Sequence, residues 1–163
     1  MAKNKEEKTN VMRVLEQKKI AYTPHSYPHE EGIAVDGVTV AQSMGFDPAI
    51  VFKTLVARGA SKQYYVFDVP VAENLDLKKA AKAVGEKSIE MIHQKELLPL
   101  TGYVHGGCSP VGMKKLFPTV FHSSAENLAA MIVSAGKIGY QVELSPRGLA
   151  ALVRAKFADI IVE

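Results

Sequence analysis

Val51-Phe52-Lys53-Thr54-Leu55-Val56-Ala57, a turn from Gly59 to Gln63, and Tyr64-Tyr65-Val66-Phe67-Asp68-Val69-Pro70 decide the fold. Two apolar runs rich in β-branched and aromatic residues flank a short turn containing glycine, the pattern of a β-hairpin. Lys53 is the anomaly in the first run. Strand alternation puts it on the face of Val51 and Leu55, both apolar. If that face is inward, the lysine is a partly buried cation in need of an anionic or carbonyl partner. If it is outward, the side chain snorkels along an exposed strand. The pattern alone leaves these two readings balanced.

On the N-terminal side of the hairpin, Glu6 to Lys19 places Val11, Met12, Val14 and Leu15 on one face of a helix, with Thr9 or Asn10 as its cap. Ile20 to Tyr27 reads as a short strand ended by Pro28, and His29 to Val38 as a loop. Thr39 to Met44 is a short helix stopped by Gly45, and Asp47-Pro48 starts a turn. On the C-terminal side, Asp76 caps a helix from Leu77 to Val84 that Gly85 closes. A short strand over Ser88 to Met91 and a helix from Gln94 to Leu100 follow, then a loop over Tyr103 to Gly112. Thr119 to His122, Met131 to Ser134 and Gln141 to Leu144 are β-like. Ser145-Pro146 opens a helix to about Lys156, and Phe157 to Val162 is a last strand. The order does not alternate as βαβ units do. It predicts one α+β domain over residues 1–163, a mixed, mainly antiparallel sheet surrounded by helices. Six or more short strands make a barrel-like closure the expected way to remove free edges.

The chain has 163 residues, 47% hydrophobic and 23% charged, the size and balance of one globular domain. No run approaches the ~18 apolar residues of a membrane span, and the charged start leads into no signal-peptide core. The one cysteine, Cys108, leaves no intrachain disulfide, which fits a reducing cytoplasm. A net charge of +3 is too small to argue for nucleic-acid binding. Gly107 to Gly112 has the glycine spacing of a phosphate loop, but Met113 stands where lysine is required. No dinucleotide fingerprint and no nucleophile elbow occurs. His25 and His29 flank Pro28, so on extended backbone their rings lie about 13 Å apart and share no metal ion. They read as polar strand-end or loop residues.

A second unusual stretch is Gly102-Tyr103-Val104-His105-Gly106-Gly107-Cys108-Ser109-Pro110-Val111-Gly112. Adjacent glycines let backbone approach a ligand closely and permit positive φ. With the Ser109 hydroxyl, the N–H groups here can form a concavity for an anion or carbonyl. Ser134-Ala135-Gly136-Lys137-Ile138-Gly139 adds another small-residue wall. Each stretch also reads as an ordinary tight turn, the commoner use of glycine. Cys108 reads as a small apolar residue more readily than as a nucleophile.

Taken together, Phe52-Lys53-Thr54-Leu55, Asn74 to Lys82, Gly102 to Lys115 and Val133 to Lys137 resemble the bacterial YbaK/EbsC family. The ordered set runs along nearly the whole chain, to Asp159-Ile160-Ile161. The resemblance implies a YbaK-type editing-domain fold, related to the domain inserted in bacterial prolyl-tRNA synthetases. It implies a trans-editing aminoacyl-tRNA deacylase that removes cysteine from tRNA-Pro, with no metal and no cofactor. The implied partners are the acceptor end of mischarged tRNA-Pro and prolyl-tRNA synthetase, with no membrane. It places Lys53 and Gly106 as catalytic, and Tyr27, Thr54, Gly107, Ser109 and Ser134 as substrate-binding. It further implies attack by the substrate's own thiol, with a positioned water if other amino acids are accepted. Ala135 and Cys108 depart from the common family pattern, where a glycine and an aliphatic residue are frequent, and leave pocket size open. Two other readings stand beside it: a non-catalytic regulator that binds tRNA or the synthetase, and a small-molecule hydrolase using Cys108.

Overall fold

The computed structural model describes residues 8–163. The hairpin forms as the sequence predicts. β2 (Phe52–Gly59) pairs antiparallel with β3 (Tyr64–Pro70), in a register that sets Lys53 opposite Val69, Thr54 opposite Asp68 and Val56 opposite Val66. The turn closes through Gly59 N–H to Gln63 O at 2.8 Å, with Lys62 at positive φ. β4 (Ile89–Met91) extends this sheet on the outer side of β2, but only beside Ala57 to Gly59. On the other side β5 (Thr119–His122) runs parallel to β3, and β8 (Lys156–Ala158) parallel to β5. A second sheet holds β1 (Tyr22–Ser26), β7 (Tyr140–Leu144) and β6 (Met131–Ser134) in the order β1-β7-β6, all antiparallel.

Antiparallel pairs predominate, as expected for a mixed α+β fold. Barrel closure does not occur among the described residues: the two sheets meet through one parallel bridge, Val51 to Ile132. The last strand is also shorter than expected. After Ala158 the chain leaves the sheet and makes only a bridge from Ile161 to Leu75.

Local signals place the helices. α1 (Asn10–Gln17) is capped by the Thr9 hydroxyl, which accepts from Met12 N–H; the expected start at Glu6 lies outside the described residues. α2 (Gly37–Met44) starts two residues earlier than predicted, because Asp36 caps it through Thr39 N–H at 3.1 Å. α3 (Leu77–Val84) lies between Asp76 and a left-handed Gly85. α4 (Gln94–Thr101) ends at Gly102. α5 (Pro146–Val153) stops earlier than predicted, where Arg154 turns left-handed.

Alternation along the hairpin gives its two faces different neighbours. Tyr65, Phe67 and Val69 pack with Ala80, Ala81 and Val120 under α3. Val56 and Val66 face Cys108 and Phe117 on the other side. A larger core joins α1 and α5 to the second sheet through Leu15, Met131, Val142 and Leu149. Asp68 shares the face of Val66, and it is 0% exposed. Its Oδ1 accepts from the Thr54 hydroxyl at 2.5 Å, while Oδ2 has no partner. A buried carboxylate with one hydrogen bond is a poor substitute for a hydrated one. Burial therefore pushes Asp68 up to about 7 from an ordinary 3.8, against the opposing pull of the Thr54 hydrogen bond.

This carries a stability consequence with a definite sign. Between pH 3.8 and about 7 the folded chain keeps a proton that the unfolded chain has released. Stability attributable to Asp68 is thus complete below that window and falls as pH rises through it, by on the order of 4 kcal/mol. Denaturant titrations of the wild-type chain and Asp68→Asn from pH 4 to 8 test this. The variant should gain on the wild type steadily as pH rises towards 7; parallel curves would show that Asp68 titrates at an ordinary value.

Candidate functional site

β4 reaches only the far half of β2, so the edge of β2 at Phe52 to Leu55 lacks a strand partner on that side. A cleft of about 300 Å³ opens against this edge. Its floor is Phe52, Lys53, Thr54 and Leu55. One wall comes from the ends of the second sheet, Tyr27, Ser134 and Gln141. The opposite walls are the start of α2 and the loop carrying His105, Gly106 and Cys108.

Lys53 and Thr54 point to opposite faces of β2 by alternation, yet both line the cleft because it wraps around the open edge. Lys53 is half-buried. Loss of water lowers its pKa, and the charge of Glu73 opposes that shift. No hydrogen bond or ion pair among the described residues engages its ammonium. Of the two readings of Lys53, the structure selects the cleft cation.

Five of the seven candidate residues come together at the cleft: Lys53, Thr54, Gly106, Tyr27 and Ser134. Gly107 and Ser109 do not line it. Gly106 has φ +90°, and a Cβ there would stand 2.7 Å from the Ala34 Cβ. Its N–H has no acceptor among the described residues. Gly107 serves a different close approach: a Cβ would stand 3.1 Å from Ile138 N, and its N–H is spent on Val104 O at 2.9 Å. The backbone pressed against Gly107 is therefore the protein's own. Ser109 is fully buried behind the cleft, where its hydroxyl accepts from Val111 N–H at 3.2 Å. The Ser134 hydroxyl accepts from Gly136 N–H at 3.0 Å, leaving its own proton to donate. Tyr27 is buried, and desolvation raises its phenol pKa.

Gln141, His105 and Asp36 also line the cleft and had not been singled out as site residues. Gln141 is 6% exposed, faces Ser134 across the strand pair, and its Oε1 has no partner. Its place follows from the β6–β7 register, which no local motif announces. Asp68 stands directly behind Thr54. The signal for it was the one that marked Lys53, a charge within an apolar strand.

The remaining candidates for chemistry are engaged elsewhere. His25 Nε2 lies 2.7 Å from Glu143 Oε1 and its ring packs edge-on against Phe46. His29 Nδ1 meets Tyr27 O at 3.0 Å, between the rings of Tyr27 and Tyr140. Among the described residues no group of three or more His, Cys, Asp or Glu is placed to hold a metal ion. Cys108 lines the cleft, but burial and then the nearby Asp68 push its thiol up to about 12. At neutral pH it is a thiol and a weak nucleophile. The arrangement offers a cation, a backbone donor, neutral acceptors and the exposed Asp36 carboxylate: a site that positions and polarises.

The aminoacyl-tRNA editing domain family matches residues 34–152, which include every cleft residue named here except Tyr27. A protein of Enterococcus faecalis, provisionally named Cys-tRNA(Pro)/Cys-tRNA(Cys) deacylase EbsC, is 45% identical over 98% of both chains. Among solved structures, one described provisionally as a trans-editing enzyme for prolyl-tRNA synthetase superposes with a TM-score of 0.79 at 25% identity, covering 94% of this chain and 95% of its own. A hypothetical protein shares the fold at a TM-score of 0.82 and 20% identity, over 93% of this chain and 99% of its own. No helix of the described residues is long and apolar enough to cross a membrane. With an editing-domain match over most of its length and a relative alike from end to end, the chain belongs to the aminoacyl-tRNA editing domain family.

Proposed function

We propose that this chain is a trans-editing aminoacyl-tRNA deacylase that removes cysteine from mischarged tRNA-Pro in the cytoplasm. The observation that carries the reading is the near end-to-end similarity to a protein provisionally named a Cys-tRNA(Pro)/Cys-tRNA(Cys) deacylase. The chemistry of the cleft supports it. The substrate is an ester between an amino acid and the ribose of the terminal adenosine, so it is already activated. An enzyme acting on it needs to hold it and to stabilise the charge that grows on its carbonyl oxygen.

Lys53 and the Gly106 N–H supply that stabilisation, one as a desolvated cation and one as an uncommitted donor. Tyr27, Ser134 and Thr54 line the pocket for the amino acid. The nucleophile comes from the substrate. The cysteine sulfur attacks its own carbonyl carbon, the bond from that carbon to the ribose oxygen breaks, and the thiol proton passes to the ribose oxygen. A cyclic thioester and a free ribose hydroxyl result. This accounts for an editing site whose one cysteine is held protonated. The tRNA-Pro acceptor end is the bound partner, and prolyl-tRNA synthetase supplies the tRNA selection for which a net charge of +3 provides little affinity.

Lys53→Ala should lower deacylation of Cys-tRNA(Pro) by about a hundredfold, the scale for loss of one charge-stabilising donor. Its thermal unfolding should stay near that of the wild type. An unchanged rate in this variant would mean that the cleft is not the editing site. Cys-tRNA(Pro) and Ser-tRNA(Pro) differ in one atom of the side chain, sulfur against oxygen. The cysteine ester should be cleaved at least ~tenfold faster. Equal rates would rule out attack by the substrate thiol and point to water.

A further inference from the structure

Asp68 has no part in the mechanism above, yet it is wholly buried one layer behind the cleft. Its position is fixed by the hairpin register, which sets it directly opposite Thr54. Above about pH 7, where Asp68 is ionised, its carboxylate can only accept, so the Thr54 hydroxyl donates its only proton to Asp68 Oδ1. A hydroxyl has one proton and two lone pairs. With the proton committed backwards, what Thr54 presents to the cleft is acceptor capacity alone.

An aminoacyl ester carries acceptors, its carbonyl and ribose oxygens, and one strong cationic donor, the α-ammonium. Lys53 and Gly106 suit the acceptors. The ammonium needs acceptors, and few are available in the cleft. Asp36 stands exposed at the start of α2, where its two oxygens also accept from the Thr39 N–H and hydroxyl. Away from solvent, Thr54 on the floor and the unpartnered Oε1 of Gln141 are acceptors that an ammonium seated deep in the cleft would meet.

We propose that Asp68 is a positioning and specificity residue: by holding the Thr54 proton it turns Thr54 into a fixed acceptor for the α-ammonium of the bound aminoacyl group. The inference rests on the deacylase reading above. Asp68 acts through Thr54 and does not touch the substrate. Among the described residues its side chain has one hydrogen-bond partner, Thr54 on β2; Phe121 on β5 is its strand neighbour, and Cys108 from the glycine loop is a titratable group near enough to feel its charge. Its ionised form adds negative charge behind the acceptor, where an ammonium gains most from it in a site shielded from water.

The test is a double-mutant cycle with two substrates. Thr54→Val, Asp68→Val and the double variant are assayed for kcat/KM on Cys-tRNA(Pro) and on tRNA-Pro charged with 3-mercaptopropionate, which keeps the thiol and lacks the amine. On the cysteine ester each single variant should lose about tenfold, and the double variant no more than the worse single. Thr54→Ser, which keeps the hydroxyl, should restore most of the rate. On the amine-free ester the penalties should vanish. Multiplying penalties, or penalties equal on both esters, would overturn the inference; the second result would mean that the pair acts on something both esters share and not on the amine. A measurement independent of turnover guards against variants that fold poorly or a chain that edits nothing. In the wild-type chain the Asp68 carboxyl carbon should titrate by NMR near pH 7, and in Thr54→Val, one hydrogen bond poorer, about one pH unit higher. An unmoved midpoint would overturn the Asp68–Thr54 coupling whether or not the chain is a deacylase. Loss of wild-type turnover with that coupling intact would overturn only the deacylase reading and the ammonium assignment.

Discussion

The antiparallel register of β2 on β3 is the constraint on which the site depends. One set of pairings puts Phe67 and Val69 under α3, sets Thr54 against Asp68, and leaves Lys53 at the rim of an open edge. A slip of one residue would exchange the two faces of the strand. It would drive Asp68 into the apolar layer beneath α3 and bring Phe67 to the cleft. The turn from Gly59 to Gln63 fixes the register, so a bend far from the cleft decides which groups meet there.

A second requirement is close approach of three loops. Gly106 rests on Ala34, and Gly107 on the Lys137–Ile138 backbone. These contacts join the segment before α2, the glycine loop and the turn between β6 and β7 into one wall. The open N–H of Gly106 thus has a fixed position, which a donor aimed at a developing charge needs if no reorganisation is to be spent during reaction. The pair of glycines divides its duties: one stands at the cleft, the other holds the wall behind it.

Much of this was legible in the chain. The hairpin, the caps at Thr9 and Asp76, and the stops at Gly45 and Gly85 are local signals, and the structure follows them. Lys53 could be seen as anomalous, though not oriented, because burial depends on what packs over a strand and not on the strand alone. Gln141 was invisible for the same reason: only pairing with Ser134 makes it a wall residue. Gly107 and Ser109 sit next in sequence to cleft residues, but chain adjacency in a tight turn sends neighbours in opposite directions. The extent of the last strand and the closure of the sheet are not legible locally, because both are tertiary outcomes. Propensity at Phe157 to Val162 is adequate for a strand, but after Ala158 the chain is drawn to Leu75 instead.

The half-covered edge of β2 has a consequence beyond catalysis. A strand edge with unpaired backbone groups is a template on which another chain can add itself. Here the start of α2 and the His105–Cys108 loop stand in front of it, at the distance of a small ligand. The wall that narrows the cleft also screens this edge from other chains. A substitution that opens this wall would uncover more of that edge. The width of the cleft and resistance to self-association are therefore tied together in this fold through one wall.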